Sequence, residues 1–508
     1  MLFKEIKNYK HEATVLSEIG NIYYNCGQYA KALDRYQKAL PLYRKLSNRR
    51  LESQALCNIG VVHASLGHQS EALRHYNQAL ILQRELGERA DEGATLSNLA
   101  LTYKEMGQTK KALELFQEVL QIARDQSSFR LESLTLNNLG TYYNELGQYL
   151  KALEFHQQAL RLYIKDGDIA KQGISLNNIG ATHRYLGQYP QALKLFNEAL
   201  RICRQVGDRA MEATVLSNIG SVYDQQGWYQ DALKYYKRAL PIRREVGDQA
   251  GEATTLNNIG AVHLFLDDSS VALDYFQQSF ALHQQIGNLP GQSTALNNIG
   301  DIYRSRGEFA NSIETFQEAL VIASKMGDQD TEARVLNNLG FVHANLGNFE
   351  NALNYHELAL AAWQSISAKP GQATALYAIG IVYLKLSRYS KAQDFLQQSL
   401  VVSKDLGDRS SQSDALNELG LLYKTTKKYD QALKCYQESL KLRKQLGNPQ
   451  SEIESLEAIG SIFYEQELYS QSLKYYQQAL AISRRSDYLE SENRFLEVIE
   501  EINHRSSE

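Results

Sequence analysis

A 40-residue period runs through the chain twelve times without an insertion or deletion, and it restricts the fold more than any other feature. Leucine stands at 16, 56, 96 and every fortieth residue up to 456. Glycine follows four residues later at Gly20, Gly60, Gly140 and onward to Gly460, with Ala100 the one exception. Alanine recurs from Ala32, replaced by Ser312 and Ser472, and a second leucine recurs from Leu40, replaced by Phe280. Such a period marks a stacked array, because a unit this small cannot bury its apolar face alone and must cover it with a neighbour.

Within one period, Leu216, Ile219, Gly220 and Tyr223 are spaced 3, 1 and 3 residues apart. That spacing puts them on one face of a helix. Gly207 ends the helix before it, and Asp208 supplies an N-cap. After a break at Gly227, Ala232, Tyr236, Ala239 and Leu240 repeat the helical spacing. Each period therefore predicts two antiparallel helices joined by a tight turn. Glycine inside a helix costs about 1 kcal/mol against alanine. Its recurrence predicts close helix approach, with bare Gly220 packed against Ala232.

The expected fold is an all-α solenoid of about twelve hairpins at residues 13–488. A partial helix of an incomplete preceding hairpin is expected at residues 1–12, and a capping helix with a tail at 489–508. Leu496 and Ile499 carry the register into that last helix, where Glu500 replaces the glycine. Pro41 and Pro241 fall inside second helices and predict kinks, since proline removes a hydrogen bond there. Asp267, Lys427 and Glu467 replace turn glycines and predict local bending of the array.

Composition removes several classes of function. With 54 basic against 58 acidic residues there is no basic excess to neutralise phosphates, which argues against nucleic-acid binding. No apolar run approaches the roughly 18 residues needed to cross a bilayer. The first residues lack the apolar centre of a signal peptide, so a cytoplasmic protein without membrane contact is expected. Cys26, Cys57, Cys203 and Cys435 are too scattered for a disulfide frame or a zinc site. No phosphate-binding glycine loop, metalloprotease helix or nucleophile elbow occurs. Neither catalysis nor a cofactor is expected. His63, His183, His263 and His343 share one repeat position with tyrosines and Phe463, and read as flat rings with a polar tip rather than metal ligands. His156 and His356 likewise replace aromatics of the second helix.

Leu216, Gly220, Tyr223, Ala232, Tyr236 and Ala239 match the tetratricopeptide signature at its own spacing. With the linker Val206-Gly207-Asp208-Arg209 and a recurring Asn-Asn-Ile-Gly, the chain resembles the 40-residue form of that repeat. This form is found in kinesin light chain, in Pins-type polarity adaptors and in bacterial regulatory arrays beside protease-like or ATPase domains. The resemblance implies a right-handed superhelix whose first helices line a concave groove for extended peptides or partner domains.

On that face, the second residue after the leucine is asparagine in eight successive periods: Asn58, Asn98, Asn138, Asn178, Asn218, Asn258, Asn298 and Asn338. Asparagine is a mediocre helix former, and its amide both donates and accepts, so a row of them suits a peptide backbone. The alternatives are that duplication copied one asparagine, or that the amides bond one another between repeats. Lys104, Arg184, Tyr185, Arg304 and Arg334 fall on the same face and favour a partner with acidic groups, tempered by Asp224 and Asp301. The lysines of the carboxylate-clamp version are missing, which argues against capture of chaperone tails. The functional expectation is a monomeric, non-enzymatic scaffold holding a protein or peptide. A second reading is a regulatory array controlling an effector enzyme encoded upstream or on a separate chain. A self-assembling solenoid is disfavoured by the charged last helix.

Overall fold

The computed structural model describes residues 2–25, 27–447, 449–485 and 489–506. Twenty-five helices, numbered α1 to α25 in chain order, fill these residues, and no strand occurs among them. Consecutive helices pair as hairpins, so that repeat one holds α1 (Leu2–Asn25) and α2 (Tyr29–Lys45), and repeat two α3 (Arg49–Ser65) and α4 (Gln69–Leu86). The hairpins divide into two compact units, Met1–Asp248 and Gln249–Glu508, of six repeats each. The second unit also holds α25 (Leu489–Arg505).

Repeat six shows how the sequence sets the turns. Gly207 is left-handed at φ 75°, and the Asp208 carboxylate accepts the Met211 N–H at 2.9 Å to cap α11 (Arg209–Gln225). Between α11 and α12 (Tyr229–Val246), Gly227 again takes φ 75°. Trp228 N–H donates to the Tyr223 carbonyl and Gly227 N–H to that of Asp224, both at 2.9 Å, closing a Schellman turn. Where glycine is missing the turn survives. Asp267, Lys427 and Glu467 adopt φ of 58°, 58° and 60° and keep the same closing bond one residue on. The expected bending is replaced by backbone strain of about 1–2 kcal/mol at each residue.

The recurring glycine answers to a different partner than expected. A Cβ on Gly220 would lie 2.8, 2.9 and 3.2 Å from ring atoms of Tyr236, whereas Ala232 supplies none of the nearest atoms. Phe316 fills the same space over Gly300, and His356 over Gly340. The glycine therefore makes room for the flat ring one turn beyond the alanine. The two serine exceptions are also accounted for: Ser312 and Ser472 are buried and donate to the carbonyls of Gly300 and Gly460 at 2.8 and 2.9 Å.

The buried stripe of α11 is wider than the spacing alone predicts. Ala213, Val215 and Val222 are buried with Leu216, Ile219 and Gly220, while Tyr223 remains partly exposed. A first helix meets its own second helix and both helices of the preceding repeat, so more than one stripe is covered. An ion pair recurs between the end of a second helix and the start of the next first helix. It joins Arg44 to Glu52, Arg84 to Glu92, Arg124 to Glu132, Arg204 to Glu212 and Arg484 to Glu492, at 2.7–2.9 Å.

The ends and the prolines add three details. α1 runs unbroken from Leu2 to Asn25, with no turn separating residues 2–12 from the first repeat. In α25 the buried residues are Phe495 and Ile502, and Leu496 is 36% exposed. That helix packs on α24 (Tyr469–Arg485), with Phe495 against Tyr476, and reaches α23 (Pro449–Glu465) through Tyr464–Glu501 and Arg494–Glu457. Phe495 and Ile502 keep the buried repeat positions of Val215 and Val222. Both α2 and α12 continue as helices through Pro41 and Pro241.

Candidate protein-binding face

The first helices leave one flank partly exposed, and the row of asparagines lies along it. All eight are half-buried. Four are held by the preceding repeat. The side-chain amide of Asn178 donates to Asn137 Oδ1 at 3.0 Å, and that of Asn218 to Asn177 Oδ1 at 2.8 Å. In the second unit Asn298 donates to Asn257 at 3.0 Å and Asn338 to Asn297 at 2.8 Å. Asn98 reaches Cys57 Sγ at 3.6 Å. Asn138 has Ser97 at the acceptor position and forms no such bond. These amides thus link first helix to first helix across an offset of 41 residues.

Asn137 and its repeat equivalent Asn337 also serve the second helices. Each takes the Nδ1–H of a buried second-helix histidine, His156 at 3.1 Å and His356 at 2.7 Å. Burial pushes both imidazoles down to about 4, so they are neutral at ordinary pH. The acceptor residues were legible as the first member of each Asn-Asn pair, a signal the expectation based on the second member passed over.

The charged residues of this face are engaged within the chain. Lys104 Nζ lies 2.7 Å from Glu145 of the next repeat, and Lys424 repeats that link to Glu465 at 3.0 Å. Arg184 donates to Ser221 Oγ at 3.3 Å and covers the ring of Tyr185, itself half-exposed and stacked on Tyr149. Arg304 pairs with Asp301 at 3.1 Å, and Arg334, half-exposed, with Asp330 at 3.0 Å. Burial raises the Asp224 and Asp301 carboxyls, the latter opposed by Arg304. An acidic ligand would have to displace these pairs.

The tetratricopeptide repeat profile matches residues 11–85, 74–125, 91–165, 171–245, 251–325, 331–404 and 411–485. The chain belongs to the tetratricopeptide repeat family. No curated protein matches it. Similar solved structures include a Rap protein complexed with competence and sporulation factor, 15% identical, covering 68% of this chain and 98% of that one with a TM-score of 0.49. A signal transduction ATPase with numerous domains and a tetratricopeptide repeat sensor, from Pyrococcus horikoshii, is 16% identical. It covers 68% of this chain and 54% of that one, with a TM-score of 0.47. BtubC from P. vanneervenii is 20% identical over 44% of this chain and 91% of that one, with a TM-score of 0.38.

In this tetratricopeptide array the residue after the recurring glycine position changes character from repeat to repeat. In the first unit it is small or polar at Asn21, Thr141, Ala181 and Ser221 and apolar at Val61 and Leu101. In the second unit it is apolar in three successive repeats: Phe341 and Ile381 are half-buried, and Leu421 is 41% exposed. They lie on α17 (Gln329–Asn345), α19 (Lys369–Lys385) and α21 (Arg409–Thr425). A recess of about 670 Å³ also opens between α18 (Phe349–Ser365) and α20 (Tyr389–Leu406), lined by glutamines, leucines, valines and Phe395 with Asp394 its one ionisable group. That lining offers no pair of groups for acid–base or nucleophilic work. No described helix is long and apolar enough to cross a membrane.

Proposed function

We propose that the chain is a non-enzymatic scaffold that holds an extended peptide or a partner domain along the exposed flank of its first helices. The observation that carries this reading is the apolar row Phe341, Ile381 and Leu421. Buried positions are fixed by packing from repeat to repeat, whereas this partly exposed position changes freely. Three successive apolar side chains there expose surface that a partner would cover. The array sets them one per repeat, at a regular interval along the stack. The amide ladder, Lys104 and Lys424 belong first to the stacking of repeats, and Arg304 and Arg334 are paired within their own helices, so charge is not what supports the reading.

The test is selection of peptides by display on the full chain, followed by titration with the double variant Ile381→Ser, Leu421→Ser. Serine occupies this position naturally at Ser221 and Ser461, so helicity and melting are expected to stay unchanged. Binding of the selected peptides should weaken about tenfold or more, since burying two such side chains is worth roughly 1.5–3 kcal/mol each. Peptides that bind the variant as tightly as the parent would remove this face from consideration.

A further inference from the structure

Repeat two alone places histidine at three positions that meet at the corner of a hairpin. His63 lies near the end of α3, His68 is the N-cap residue of α4, and His75 lies one turn beyond Glu71 on α4. The geometry of the corner is common to the array: in repeat six the same positions hold Tyr223, Trp228 and Tyr235, with ring centres 5.7 and 5.4 Å apart. In repeat two the rings are imidazoles, with His63 5.7 Å from His68 and 5.3 Å from His75. We propose that His63, His68, His75 and Glu71 form a binding site for a divalent transition metal of the zinc type.

Four observations support it. Ligand atoms of His63, Glu71 and His75 lie within 4.8 Å of one another, the one such grouping of histidine, cysteine and carboxylate residues among those described. Glu71 and His75 are four residues apart on a helix, which puts both on one face. His75 Nδ1 lies 2.9 Å from the Glu71 carbonyl, a bond that fixes the tautomer and leaves Nε2 as a lone-pair donor. His63 Nδ1 is buried with no hydrogen-bond partner. At His263 and His343 the equivalent nitrogen is also without a hydrogen bond, 3.6 Å from Asp268 in the former, whereas in repeat five it is 2.6 Å from Gln188, five residues on. In repeat two that residue is His68, so the orphaned nitrogen faces a second imidazole.

Bonds of about 2.0–2.1 Å to four ligands require the side chains to close inward by roughly an ångström and the stacked rings to turn. Arg74, which pairs with Glu71 at 2.6 Å, must swing aside; its side chain is 55% exposed, so the move is open to it. Three imidazoles and a carboxylate complete a closed site that would tie the end of α3 to the start of α4 rather than activate a water.

The test uses the full chain and zinc chloride at neutral pH against a chromophoric chelator. One tight equivalent per chain is expected, together with the visible absorption of four-coordinate cobalt when Co²⁺ is substituted. The variant His68→Gln, His75→Tyr carries residues found at these positions as Gln28 and Tyr235, so its metal-free melting should match the parent. Its zinc affinity should fall about tenfold or more. A variant with His183, His263 and His343 changed to tyrosine should keep the tight equivalent. Absence of a tight equivalent in the parent, or its persistence in His68→Gln, His75→Tyr, overturns the site.

Discussion

Replacing Asn218 by alanine isolates one rung of the amide ladder. The bond to Asn177 Oδ1 is 2.8 Å, and Asn177 is only 5% exposed, so water cannot replace the lost donor. A buried acceptor left unsatisfied costs about 1–3 kcal/mol. Alanine returns up to about 0.7 kcal/mol as the better helix former. A net loss of about 1–2 kcal/mol is therefore expected for Asn218→Ala. Asn138→Ala, at the position with no such bond, should fall within about 0.5 kcal/mol of the parent or slightly above it. A repeat array need not unfold as one unit, so the readout is native-state hydrogen exchange of amides in α11 and in α9 (Ile169–Tyr185). A double-mutant cycle with Asn177→Ser removes the propensity terms and should give a coupling of about 1 kcal/mol. Additivity within about 0.3 kcal/mol would show that the rung contributes nothing and that the ladder reasoning fails.

Two further outcomes follow from the buried histidines and the strained turns. His156 and His356 have pKa values pushed down to about 4 from 6.5, so the unfolded chain takes up protons first as pH falls. Stability should be flat above pH 6.5 and drop between 6.5 and 4, by about 3 kcal/mol per histidine at the limit. His156→Phe with His356→Phe, as at Phe116, Phe196 and Phe316 in neighbouring repeats, should flatten a melting series over that range; an unchanged slope would locate the acid sensitivity elsewhere. Lys427→Gly and Glu467→Gly relieve left-handed backbone at φ 58° and 60° and should each stabilise by about 0.5–1 kcal/mol after the entropy gained by the unfolded chain. Loss of stability in urea titrations would mean that these side chains hold the turn in some other way.

Helix number, pairing and turn positions were legible because a strict period repeats each signal twelve times, so Leu216, Gly220 and Tyr236 could be read as a pattern rather than as single residues. The partner of Gly220 was not legible. Ala232 and Tyr236 both recur at helical spacing, and only the rotation of α12 about its axis decides which of them fills the gap. Leu496 is uncovered because no helix follows α25 among the described residues to pack on it, while Phe495 and Ile502 keep the buried repeat positions of Val215 and Val222. The asparagines were visible as a row, but whether an amide faces a ligand or the previous repeat depends on Asn137 and Asn177 sitting opposite, 41 residues earlier. The histidine corner was hidden for a related reason: residues 63, 68 and 75 look unrelated until the Schellman turn folds α4 back along α3.

The constant offset of 41 residues has a bearing on how such a chain can change in length. Excising residues 178–217 would bring Asn218 into the place of Asn178, opposite the same Asn137, and duplication of that stretch would set the copied Asn178 opposite Asn177. An excision one residue shorter would put the first donor beyond the join one residue out of register with its acceptor, about 100° around the helix, with the ion pair and glycine contacts that cross the join misplaced as well. Growth or shrinkage by whole units is therefore the route the side chains permit, and the gap-free sequence is what that rule leaves behind.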